Sequence, residues 1–142
     1  MRKRTREPWR SAAEHGRTLG GLSLNLIVRD IAKSLPFYTE ALGFTALYSD
    51  EDYAALARDG VSIQLHADHA YEHMPWGPEL ARGTRRGLGA EIRILGIDPQ
   101  SVEGAAARTG SVVMTTAVRA HGWRDVIVAD PDGYVFAVGT AT

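Results

Sequence analysis

One order of elements, written twice, restricts what this chain can fold into. Leu24, Leu26 and Val28 alternate with Ser23, Asn25 and Ile27, and a period of two belongs to a strand. Asp30 then suits a helix N-cap, since its carboxylate can accept a free first-turn N–H. Ile31, Leu35, Tyr38 and Leu42 fall at helical spacing, and Gly43 ends the run. Pro36 lies inside that run, where it removes a hydrogen bond and predicts a kink or a late start. Residues 44 to 48, 53 to 58 and 61 to 66 read as short strands, with Asp59-Gly60 as a hairpin turn. The second half repeats the order. Residues 91 to 97 form a strand, Asp98-Pro99 caps and starts a helix, and Val102 with Ala105, Ala106 and Ala107 carries it to Gly110. Strands at 114 to 118, 124 to 129 and 134 to 138 follow, the last two joined by the turn Asp130-Pro131-Asp132-Gly133.

Such self-similarity marks an internal duplication whose halves cannot each bury a core. The predicted organisation is a single domain over residues 22–142, with modules at 22–66 and 90–139 and a connector at 67–89. Residues 1–21 read as a basic leader, flexible or packed on a partner. Its first ten residues hold five basic groups against Glu7, while the whole chain nets −1. No recognisable nucleic-acid motif follows this charge, so no nucleic-acid partner is expected. Removing residues 1 to 15 is expected to leave fold and binding intact unless Pro8 and Trp9 dock on the body. There is no cysteine, which excludes a disulfide framework and a thiolate zinc site. No apolar run has the length of a membrane span and no signal peptide opens the chain, so a cytoplasmic protein with no membrane partner is expected.

Two stretches resemble a known family. Residues 24 to 44, LNLIVRDIAKSLPFYTEALGF, look like the strand–Asp–helix opening of the vicinal oxygen chelate superfamily of glyoxalases, bleomycin resistance proteins and dioxygenases. Residues 123 to 138, WRDVIVADPDGYVFAV, resemble its closing strand–DPDG–strand hairpin. The resemblance implies an α+β fold of two βαβββ modules, a cupped mixed sheet with helices outside and ligand inside, and a homodimer. In metal-using members four strand positions carry the ligands. The resemblance puts them here at Ser23, seven residues before Asp30, at Glu91, seven before Asp98, and at Gln64 and Ala137. A catalytic divalent ion takes about three good His, Asp or Glu ligands and one open position. Only Glu91 qualifies, so no metal and no cofactor are expected. The chain looks closest to the metal-free, bleomycin-resistance-like branch.

Strand alternation extends that face. Asn25 joins Ser23, Ser62 and His66 join Gln64, Arg93 joins Glu91, and Val135 joins Ala137. Leu24, Leu26, Ile63, Leu65, Ile92, Ile94, Phe136 and Val138 then form the core. The polar set reads as a hydrogen-bonding ligand cavity; the structural alternative is a Glu91–Arg93 pair among solvated neighbours. Trp123 is a candidate for stacking on the ligand at the rim, with packing as its alternative, and Trp76 is a weaker candidate. His69 and His73 would sit one helical turn apart, but they lie in the connector and read as polar loop. Arg82, Arg85 and Arg86 read as a solvated cluster. The ligand-binding set is therefore Ser23, Asn25, Gln64, His66, Glu91, Arg93 and Trp123. The function expected is binding of a small organic molecule in the cup without a catalytic metal, of the antibiotic-sequestering kind. The alternative is a lyase, isomerase or dioxygenase of the same superfamily with an atypical metal site.

Overall fold

The computed structural model describes residues 10–142; Pro8 and Trp9, and any docking by them, lie outside the described residues. Contacts divide the chain into two compact units. One holds the described residues up to Leu35 together with Gly43–Thr84, and the other holds Pro36–Leu42 with Arg85–Thr142.

The first unit begins with a helix that the strand pattern did not announce, α1 (Ala12–Gly16). Strand β1 (Leu24–Val28) and helix α2 (Ile31–Pro36) follow, then β2 (Thr45–Ser49), β3 (Tyr53–Arg58) and β4 (Val61–Ala67). The sheet runs β1-β4-β3-β2, with β1 parallel to β4 and the other pairs antiparallel. Asp30 caps α2 as its position suggested: its Oδ1 accepts the Lys33 N–H at 3.1 Å. The β3–β4 turn places Asp59 at φ 45° and Gly60 at φ 82°, the paired positive angles of a tight hairpin turn.

The connector carries a 3-10 turn (Asp68–Ala70) and a short helix α3 (Gly77–Leu80). The second unit then repeats the first with β5 (Glu91–Leu95), α4 (Pro99–Ala107), β6 (Val112–Val118), β7 (Trp123–Ala129) and β8 (Val135–Ala141). Its sheet order is β5-β8-β7-β6, again with one parallel pair. Asp98 caps α4 and Pro99 opens it, as the sequence predicts. The result is an α+β fold of two four-stranded mixed sheets with helices outside.

Pro36 does not end its helix. The chain continues as one π-helical turn (Phe37–Ala41), in which the Leu42 N–H reaches back to the Phe37 carbonyl at 3.1 Å. A proline lacks the N–H of the α ladder, and a wider turn is one way past that gap. Residues 36–42 pack with the second unit rather than with the module that sequence order assigns them. Phe37 and Tyr38 meet Phe136 with ring centroids 5.6 and 5.7 Å apart.

Tyr38 also donates its hydroxyl hydrogen to Asp130 Oδ2 at 2.7 Å. The other oxygen, Oδ1, accepts the N–H groups of Asp132, Gly133 and Tyr134 at 2.9–3.0 Å. The DPDG turn is thus folded around one buried carboxylate. Burial raises the Asp130 carboxyl pKa against those hydrogen bonds, and burial followed by the Asp130 charge raises that of the Tyr38 hydroxyl. Arg86 corrects the reading of a solvated arginine cluster. It is buried, its N–H donates to the Asp132 carbonyl at 2.8 Å, and its guanidinium lies 3.8 Å from the Asp132 carboxylate. Removing the Tyr38 hydroxyl leaves Asp130 short of a charge-assisted partner. Tyr38→Phe is therefore expected to lower stability by about 1–3 kcal/mol in urea denaturation; an unchanged midpoint would show that water replaces the hydroxyl.

Candidate functional site

Residues paired directly across a sheet share a face. In the first unit this gives one row of Asn25, Gln64, Ala55 and Tyr48, and a second of Ile27, His66 and Tyr53. The opposite face carries Leu26, Val28, Ile63 and Leu65, all buried, so the strand phase read from the sequence holds here. Ser23 Oγ donates to Gln64 Oε1 at 2.6 Å. Asn25 Nδ2 donates to the Tyr71 hydroxyl. The His66 ring stacks on Tyr53, with centroids 5.8 Å apart and planes 21° apart, and meets Tyr71 edge-on at 5.4 Å.

The leader covers part of this face. Ser11 and Glu14 close a capping box at the start of α1: the Glu14 N–H donates to Ser11 Oγ at 3.0 Å, and the Ser11 N–H to Glu14 Oε2 at 3.1 Å. Ala12 packs on Tyr48, Tyr53 and Ala55, and the Tyr53 hydroxyl donates to the Arg10 carbonyl. These contacts disagree with the expectation that residues 1 to 15 can be removed without consequence. Between leader and sheet lies a cavity of about 300 Å³, at the small end of the range for ligand sites. The sheet lines it with Ser23, Asn25, Tyr53, Gln64 and His66; the leader adds Ala12, His15, Gly16 and Leu19. His15 is only 4% exposed, and neither ring nitrogen has a hydrogen-bond partner among the described residues; nor does Gln64 Nε2.

His15 was missed by strand alternation because it lies on a helix outside the repeat. The Ser-x-x-Glu spacing at 11 to 14 was the available signal, since it marks a helix start.

In the second unit Glu91 Oε1 and Arg93 Nε are 3.0 Å apart, and Arg93 Nη2 donates to His121 Nε2 at 2.7 Å. The guanidinium lies 4.9 Å from the Trp123 ring centroid. Glu91, which its phase places on the cup face, is exposed, as is Arg93. Their ion pair therefore carries little stability, and Trp123 serves Arg93 as a stacking surface. Next along this face is Asp125, fully buried, bound by Arg119 Nε at 2.9 Å, with Oδ2 unpartnered among the described residues. The sequence reading did not single it out.

The superfamily's metal can be tested against these side chains. Ser23 and Gln64 are committed to each other, and Ala137, paired with Arg93, offers no donor. His69 Nε2 lies 2.8 Å from Asp52 Oδ1 as a simple pair. Among the described residues no three His, Cys, Asp or Glu side chains could hold a metal ion. The residues present do not fit a catalytic metal. No helix among them is long and apolar enough to cross a membrane.

The profile of the Glyoxalase/Bleomycin resistance protein/Dioxygenase superfamily matches residues 22–138, and the chain belongs to that superfamily. No curated protein matches it. Among solved structures it is similar to a glyoxalase/bleomycin resistance protein/dioxygenase family enzyme from Burkholderia phytofirmans PsJN, at 18% identity and TM-score 0.68 over 84% of this chain and 97% of that one. A glyoxalase-related enzyme from Fulvimarina pelagi gives 16% and 0.66 over 86% and 88%. The genomically encoded fosfomycin resistance protein FosX from Listeria monocytogenes gives 18% and 0.62 over 87% and 95%. At these identities the likeness shows the fold alone.

Burial, then the charge of Arg10, holds the His15 pKa below its ordinary 6.5. The folded chain therefore binds fewer protons here than the unfolded chain. The stability this site contributes is complete above pH 6.5 and is lost as pH falls through that value towards the folded pKa. Denaturation from about pH 5 to about pH 8 is expected to show stability rising with pH more steeply in the native chain than in His15→Phe. Equal slopes would mean that His15 stays solvated.

Proposed function

We propose that this chain binds a small organic molecule on the polar face of its first sheet without a catalytic metal, and so sequesters it as an antibiotic-binding protein does. The observation that carries the reading is the cavity itself: it is lined by His15 and Gln64, whose buried polar atoms stand without partners among the described residues. Unsatisfied buried donors are costly unless a ligand or water completes them. The donor set supports the metal-free part, since Ser23 and Gln64 bond to each other where metal-using relatives carry ligands. The superfamily name and that of the fosfomycin resistance protein bring antibiotics to this chain as candidate ligands. Glu91, Arg93 and Trp123 stay in the proposed ligand-binding set as a cation, its counter-charge and an aromatic surface. A cytoplasmic homodimer goes with this reading. Edge strand β6 exposes Val113, Met114 and Val118, an apolar edge that a second copy would cover.

A thermal-shift screen of antibiotics and other small organic molecules, run with and without chelator, tests the binding. A hit at about a hundred times its Kd is expected to add about 2.7 kcal/mol of stability, unchanged by chelator and lost in Gln64→Leu. Stabilisation that requires an added divalent ion would overturn the metal-free reading. For the assembly, sedimentation is expected to show a dimer that Val118→Lys dissociates; a monomer at all concentrations removes it.

A further inference from the structure

The cavity's charge limits what it can hold. Among the described residues its lining contains no Asp, Glu, Lys or Arg side chain, and burial with the nearby Arg10 charge favours the neutral form of His15. A cationic ligand would lose its hydration there with the like charge of Arg10 nearby, and an anionic one would find no cation in the described lining itself. The hydrogen-bonding options are narrower still. Gln64 Oε1 already accepts from Ser23 Oγ, while Gln64 Nε2 is buried and unpartnered among the described residues. What Gln64 still lacks is an acceptor. A neutral imidazole presents one donor and one acceptor, and both His15 nitrogens are buried and unpartnered among the described residues. The stacked Tyr53 and His66 rings, 21° from parallel, add a flat aromatic wall.

We propose that His15 and Gln64 together hold the carbonyl oxygen and neighbouring N–H of an uncharged, planar amide, which makes His15, supplied by the leader, the residue that sets specificity. Gln64 Nε2 donates to the ligand carbonyl. His15 accepts from the ligand N–H through one ring nitrogen. The aromatic wall receives the ligand's flat face. The inference deepens the binding reading above and rests on it.

Three probes of nearly one shape separate the possibilities: benzamide is neutral, benzoate is an anion and benzamidine is a cation. Each is titrated into the full chain and followed by amide-proton NMR, alongside His15→Phe, His15→Gln and Gln64→Met. Benzamide is expected to shift resonances of cavity residues and to bind about tenfold or more tightly than either charged probe. His15→Phe and Gln64→Met should each weaken it about tenfold, the weight of one hydrogen bond at a buried site. His15→Gln keeps a donor and an acceptor and should retain most of the binding. If His15→Phe does not fold, the comparison of His15→Gln with Gln64→Met carries the test. Charged probes binding as well as benzamide, or benzamide binding that survives Gln64→Met, would overturn this inference and leave the ligand site standing. If no probe moves a cavity resonance, the site itself is wrong.

Discussion

Each sheet here buries one apolar face and sets its few polar side chains, among small and apolar ones, on the other, and much of the structure follows from that division. Leu26, Val28, Ile63 and Leu65 in one unit, and Val126, Val128, Phe136 and Val138 in the other, are buried almost completely. Slipping one strand by a single residue would send Gln64 into the core and Leu65 to the opposite face, because side chains alternate with period two. Register, stability and site are consequently one constraint. A change that loosens the core face also misplaces the polar groups behind it.

Within this division the four positions that metal-using relatives devote to ligands hold different chemistry. In the first unit Ser23 and Gln64 satisfy each other. In the second, Glu91 is turned to Arg93 and Ala137 is a buried methyl group. The chain belongs to the superfamily, and among the described residues no three His, Cys, Asp or Glu side chains could hold a metal ion. Fold membership therefore says where a ligand would sit, and the side chains say what kind it is.

The strands, the caps at Asp30 and Asp98, the Asp59-Gly60 turn and the face that β1, β4, β5 and β8 turn to the core were legible because they depend on short-range periodicity. Four side chains were misread or missed for reasons beyond that range. His15 lies on a five-residue helix whose burial depends on Tyr48, Tyr53 and Ala55. Arg86 looked like loop charge until Asp132 supplied its partner. Asp125 reads as an ordinary strand carboxylate, and only Arg119 makes its burial tolerable. Glu91 has the inward phase of its strand, yet phase gives direction and not depth, and it remains exposed. Pro36 misled in a different manner: it changed the pitch of the helix without stopping it.

The wall that α1 adds to the cavity has a consequence for the order in which the molecule is assembled. The Arg10 carbonyl and the Tyr53 hydroxyl are 43 residues apart, and Ser23 and Gln64 are 41 apart. At about 5–20 residues per second of synthesis, the leader emerges seconds before anything exists for it to rest on. β2, β3 and β4 can close as local hairpins, whereas β1 must wait for β4, its one partner strand among the described residues. His15 must wait for the face they make together. A stretch made before the sheet is thus among the last to find its place, and the cavity is finished by residues older than the strands they rest on.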